Sequence, residues 1–247
     1  MHRNASWEEV LMAPTKPLPR RRPAARRRQG DSGSWQAEKS ENTRTQIVDA
    51  TLRCLVKLGY AQTTTERIAE EAGVSRGAMT HHFRSRAAVF EAAASYITEK
   101  RAEEFEEKIR DFHYEPGEVP TLGDMQRTMM LMQRYYAEPT FVAFHELLRG
   151  ARTDKTLKKM LVPLEEALDR RIAESMLRRM PYWSRIEGTR EVLTDLVHFT
   201  LQGVAINNPA QYVGGDRLQH LLDMLAVTAY RTFVEAYAGE KPGKAPR

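Results

Sequence analysis

From Ser75 to Arg86 the chain sets out Ser75, Arg76, Gly77, Thr80, His81, His82 and Arg86, with no acidic side chain among them. An arginine can donate two parallel hydrogen bonds to the edge of a guanine or to a phosphate, while serine, threonine and histidine donate or accept singly. A glycine in such company lets another backbone come close. This is chemistry for holding and reading a polyanion rather than for breaking bonds.

Catalytic patterns occur only as fragments. His145-Glu146-Leu147-Leu148-Arg149 begins like the H-E-x-x-H zinc pattern, but Arg149 stands where the second imidazole is needed. Asp195 and His198 are one helical turn apart, with no second such pair to complete a metal site. There is no glycine-rich phosphate loop and no nucleophile elbow, so no catalytic residue, metal or cofactor is expected. The single cysteine, Cys54, excludes an internal disulfide and reads as a small packed residue.

Two short helices would hold the polar set in place. Thr63 and Glu66 have capping-box spacing, and Ile68, Ala69 and Ala72 give the first helix an apolar edge. Gly73 ends it, and Ser75 is a good N-cap for a second helix beginning at Arg76. Met79 and Phe83, four apart, face inward and leave Arg76, Gly77, Thr80 and His81 outward. Together the two read as a helix-turn-helix.

G-V-S-R-G-A-M-T-H-H-F-R-S-R, with the upstream I-V-D-A-T-L-R-C-L-V-K-L-G-Y-A-Q-T-T-T-E-R-I-A-E-E-A, resembles the signature of the TetR family of bacterial transcriptional regulators over residues 45–96. The resemblance implies an all-α fold: an N-terminal three-helix DNA-binding domain with a helix-turn-helix, plus a C-terminal helical ligand-binding and dimerisation domain. It implies a homodimer on a palindromic operator in double-stranded DNA, a repressor more than an activator, released by a small apolar effector. Arg76 is the candidate for a base edge, and Thr80 and His81 for bases or phosphates. Thr64, Thr65, His82 and Arg86 would hold phosphates, with Ser75 and Gly77 at the contact and Arg44 beside it. Where the family usually has tyrosine this chain has Thr80, so a contact made there by a phenol is shorter or absent. Arg86 keeps the charge of the family's lysine.

Composition sets the rest. More than the whole +5 net charge sits in residues 1–30, where eight arginines and lysines face two glutamates. Residues 1–40 thus read as a disordered basic arm, residues 41–86 as the DNA-binding domain, residues 87–238 as the ligand-binding and dimerisation domain, and 239–247 as a disordered tail. Helices are expected at about 40–58, 86–112, 122–137, 140–150, 154–180, 187–206 and 216–238, with a kink or fresh start at Pro163. No export signal and no membrane span is expected, which places the chain in the cytoplasm.

Two apolar stripes, Leu193, Leu196, Val197, Thr200, Gly203 and Val204, then Leu218, Leu221, Leu222, Leu225, Thr228, Ala229 and Phe233, are either core or a two-fold interface. Met125, Met129 and Met132, followed by Phe141, Phe144 and His145 and later by His198, suit an adaptable apolar pocket with polar anchors, or an ordinary core. Two other functions fit the residues: an architectural DNA binder that relies on the arginine-rich arm, and a helical metal-dependent enzyme around His145 or Asp195 and His198.

Overall fold

The computed structural model describes residues 32–186, 188–207 and 213–239, and every regular element among them is helical. The chain runs α1 (Ser32–Gln62), α2 (Thr65–Ala72), α3 (Arg76–His82), α4 (Arg86–Lys108), α5 (Leu122–Tyr136), α6 (Pro139–Ala151) and α7 (Lys155–Arg179). A 3-10 turn (Pro181–Ile186), α8 (Arg190–Asn207) and α9 (Gly215–Gly239) complete it. No helix among the described residues is long and apolar enough to cross a membrane.

α1 begins eight residues before the expected start, so residues 32–40 of the expected disordered arm are helical; residues 1–31 and the tail from 240 lie outside the described residues. α1 changes course at Gly59, whose φ of 73° suits glycine. α7 continues through Pro163 without the expected fresh start. Pro163 and Lys159, whose carbonyl loses its partner, are both exposed, so water can satisfy the freed oxygen.

Local caps set the other starts. Ser85 accepts a hydrogen bond from Ala88 N at 3.1 Å, and Asp154 accepts from Thr156 N at 2.9 Å and Leu157 N at 3.0 Å. At α5, Thr121 and Asp124 form a full capping box.

Apolar packing divides into two clusters. The first joins α1, α2, α3 and the front of α4 (Val89, Phe90, Ala93, Ile97) to Phe144 and Leu147 of α6 and to Leu157 and Leu161 of α7. The second gathers the rear of α4 (Phe105), α5, the 3-10 turn, α8 and α9 around Tyr182, Trp183 and Phe233. The helix-turn-helix therefore shares its core with α6 and α7, and α4 runs through both clusters.

Candidate nucleic-acid interface

α2 and α3 meet at Gly73, which takes the left-handed conformation (φ 66°) while its N–H donates to Glu70 O; the Val74 N–H then donates to Ala69 O. The cap of α2 is Thr64, whose hydroxyl accepts from Arg67 N at 3.3 Å. The expected Thr63–Glu66 box is thereby corrected by one residue: Thr63 is fully buried, and its hydroxyl donates to Gly59 O at 2.8 Å. Ser75 caps α3 and accepts from Ala78 N at 3.1 Å.

α3 has two unlike sides. Met79 and Phe83 are buried in the first core, and Ile68 and Ala69 of α2 are buried in that core with them. Ser75, Arg76, Gly77, Thr80 and His81 are exposed on the outside. The Arg76 side chain is 86% exposed, and its one partner, Glu66 at 3.5 Å, is itself exposed, so it is held weakly. Thr80 donates to Arg76 O at 3.0 Å, which leaves its oxygen lone pairs outward. A Cβ on Gly77 would meet nothing nearer than Ser75 Oγ at 3.8 Å. No packing contact among the described residues therefore requires a glycine at this position.

The charges around this face favour an anion. No acidic residue lies between Glu71 and Glu91. Glu71 is itself neutralised by Arg53 at 2.6 Å and Lys57 at 3.2 Å, and the Arg53 hydrogen bond holds its carboxyl below the usual range. Arg44 is exposed and stacks over Phe83 at 5.1 Å, Thr65 donates to Glu66 at 3.3 Å, and His82 is partly exposed, edge-on to His81. Arg84, in the loop after α3, is exposed and makes no ion pair among the described residues. Sequence reasoning passed over it because a loop residue belongs to no periodic face.

Arg86 is the correction. Its Nε donates to Thr63 O at 3.1 Å, and its terminal nitrogens donate to Tyr60 O at 2.7 Å and Tyr60 Oη at 3.2 Å. The guanidinium lies 4.4 Å from the ring centroids of both Tyr60 and Phe90. Three of its five N–H donors are engaged inside the protein, so it braces the turn between α1 and α2 and is not the expected freely outward arginine.

The expected pocket residues are packed rather than lining open space. Met125, Met129 and Phe141 are buried in the second core and Phe144 in the first, with Met132 half-buried. Gln202 Nε2 donates to His145 Nδ1 at 3.1 Å, and His198 Nδ1 shares a hydrogen bond with Tyr136 Oη at 2.7 Å. Burial lowers the pKa of both imidazoles. Open grooves lie elsewhere, one of about 360 Å³ beside Phe112 and Arg127 and one of about 260 Å³ beside Tyr60 and Arg86. Among the described residues no group of three or more His, Cys, Asp or Glu side chains is placed to hold a metal ion. Cys54 is buried, its thiol near Arg67 O.

Residues 47–93 match the profile of the bacterial regulatory proteins of the tetR family. An uncharacterised HTH-type transcriptional regulator of Mycobacterium bovis is 27% identical over 126 residues, 51% of this chain and 62% of that protein. An HTH-type transcriptional repressor of Mycobacterium tuberculosis is 44% identical over 59 residues, 24% of this chain and 32% of that one. The chain thus spans about three fifths of the first relative and a third of the second. The crystal structure of a tetR-family transcriptional regulator from Streptomyces coelicolor superposes with a TM-score of 0.54 at 19% identity, over 81% of this chain and 84% of that one; this likeness is one of fold.

Proposed function

The chain belongs to the TetR family of bacterial regulatory proteins, and on that basis we propose that it is a transcriptional regulator that binds a palindromic operator as a homodimer. The two-sided character of α3 carries this reading. A short helix clamped by Met79 and Phe83 presents Arg76, Gly77, Thr80 and His81 to the outside, in a stretch without carboxylates. Arg76 reads a base edge, Thr80 and His81 reach bases or phosphates, and Arg44, Thr64, Thr65, Ser75, His82 and Arg84 fix the backbone register. Residues 41–86 form the reading head, and residues 87–238 form the effector-binding and dimerising body.

α4 is the natural transmitter, because its front packs with the head and its rear with the body. An effector within the body that prefers a tilted α4 would change the spacing of the two heads and release the operator. Repression fits the name of the Mycobacterium tuberculosis relative, and action on a chromosome places the protein in the cytoplasm. Selection of bound sequences from random DNA, followed by a salt titration on the winner, tests this. A palindromic consensus supports the regulator. Binding without a consensus, governed by salt alone, means that phosphate contacts dominate and overturns it.

A further inference from the structure

Arg101, in the middle of α4, is only 6% exposed. Its guanidinium lies 4.9 Å from the ring centroid of Phe144, 5.1 Å from Phe141 and 5.7 Å from Tyr135. Arginine keeps its charge inside proteins, and a buried charge is costly unless paired. Yet Nε is sealed from solvent without a hydrogen-bond partner, and no carboxylate among the described residues is at ion-pair distance from this side chain. Aromatic faces compensate part of such a charge, but they leave the Nε–H donor unused.

The surroundings repeat the pattern. Tyr135 Oη is buried and makes no hydrogen bond of good geometry, although the Arg101 guanidinium lies near enough to act on it. Gln202 Oε1 is likewise buried without a well-formed bond, near His198, while its amide nitrogen donates to His145. His145 in turn stacks on Phe141, the ring beneath Arg101. Burial keeps His145 and His198 below the usual histidine range, so neither adds a second cation near neutral pH. Two carboxyls on α7, Glu165 and Asp169, act on Arg101 through space without reaching ion-pair distance, and burial pushes both upward, which weakens them as counter-charges. The interior thus holds one fixed positive charge with only the distant, weakened Glu165 and Asp169 carboxyls to offset it, polar atoms from two further helices, and aromatic walls.

We propose that this interior, between α4, α5, α6 and α8, binds an aromatic or flat apolar carboxylate, with the acid held by the Arg101 fork and by the Tyr135 hydroxyl. The fork of arginine matches a carboxylate with two parallel hydrogen bonds. A single guanidinium balances one negative charge, which favours a carboxylate over a phosphate dianion. Arg101 lines neither open groove, so the site is closed in this structure, and it lies against α4, the helix that also packs in the first core. This inference rests on the regulator reading for its consequence, though not for the binding.

Calorimetric titration of the full-length protein with benzoate, 1-naphthoate and indole-3-acetate, each beside its neutral amide, tests it. At least one acid should bind tenfold or more tightly than its amide. Arg101→Met should abolish that preference, Arg101→Lys should retain part of it, and Tyr135→Phe should weaken acid binding severalfold. Acids and amides binding alike, no acid binding, Arg101→Met keeping the preference, or inorganic phosphate displacing the acid would each overturn it. Without ligand, Arg101→Met should melt no lower than the natural protein; a large drop would mark the guanidinium as a structural part of the core and overturn the assignment. Operator binding separates the two ideas. A natural protein that selects an operator but shows no acid preference loses only this site, whereas one that binds aryl acids but no DNA sequence loses only the regulator reading.

Discussion

The Tyr60 ring occupies the space that a side chain at Gly150 would need: a Cβ there would stand 2.4 Å from Tyr60 Cδ1. This contact joins the end of α1 to α6. Around it, Tyr60 N–H donates to Glu146 at 3.2 Å and Tyr60 Oη donates to Asp154 at 3.0 Å. The ring seated on Gly150 thus adds a close contact and two hydrogen bonds to the apolar core that already joins α1 to α6 and α7.

Gly150→Ala should push that ring away and lower stability by about 1–3 kcal/mol, the usual range for overpacking. Thermal unfolding measures it. Tyr60→Ala in the same chain should absorb most of the penalty, since the added methyl then has room. Additive losses would mean that the two residues are not in contact.

Arg86 and Arg76 make an instructive pair, both arginines beside α3 with opposite employment. Arg86→Ala removes three hydrogen bonds and a stack between Tyr60 and Phe90, and should cost about 2–4 kcal/mol of stability. Arg86→Lys should recover little, because an ammonium cannot reproduce the planar fork. Once corrected for the folded fraction, operator specificity should be unchanged; a specific loss at one base position would return Arg86 to the DNA contact.

Arg76→Ala should do the reverse. The side chain is 86% exposed, so the melting temperature should hardly move. Discrimination at one operator position should fall by about 1–3 kcal/mol, the worth of a bidentate arginine–guanine pair. A competition assay against singly substituted operators reads this directly, and uniform weakening across all sequences would make Arg76 a phosphate contact.

These contrasts explain what the sequence could and could not reveal. The turn at Gly73, the Ser75 cap and the inward pair Met79 and Phe83 depend on neighbours within a few residues, so spacing and residue type disclose them. Arg86 finds its partners 23 and 26 residues away, at Thr63 and Tyr60. Nothing local distinguishes it from a solvent-facing arginine. Arg101 is harder still: it sits in K-R-A-E-E, which reads as a solvated charged face, and only packing of α5 and α6 over it makes it interior. The methionine and phenylalanine pocket was undecidable for the same reason, since an apolar stripe looks identical whether it lines a cavity or fills a core.

Asp124 gives the protein a defined acid-sensitive element. Burial acts to raise its pKa, but hydrogen bonds from the Thr121 backbone and hydroxyl, Tyr114 and Arg127 outweigh it and bring it down to about 2. The folded value lies below the unfolded one, so this stabilisation is present above about pH 4 and lost as pH falls towards 2. Asp124→Asn should remove a contribution on the order of 2 kcal/mol at neutral pH. It should also flatten the stability-against-pH curve in the acid range relative to the natural chain. Parallel curves would show that Asp124 titrates alike in both states.

The proposed two-fold interface can be tested on α8, where the structure splits the apolar stripe in a way that periodicity could not. Leu193, Val197 and Leu201 turn into the second core, whereas Val192 (67% exposed), Leu196 (45%) and Phe199 (65%) form a separate outward row. Met224 of α9 is equally bare at 69%. A second copy would cover these side chains, each worth about 1.5–3 kcal/mol when fully buried, and a two-fold axis counts every residue twice. Phe199→Glu therefore places two charges in the interface while leaving each monomer's core untouched. Sedimentation should show a monomer with a melting curve that no longer depends on protein concentration, and affinity for a full palindrome should fall towards that for a half-site. A Phe199→Glu protein that remains dimeric and binds the palindrome at full strength would move the interface off this face of α8.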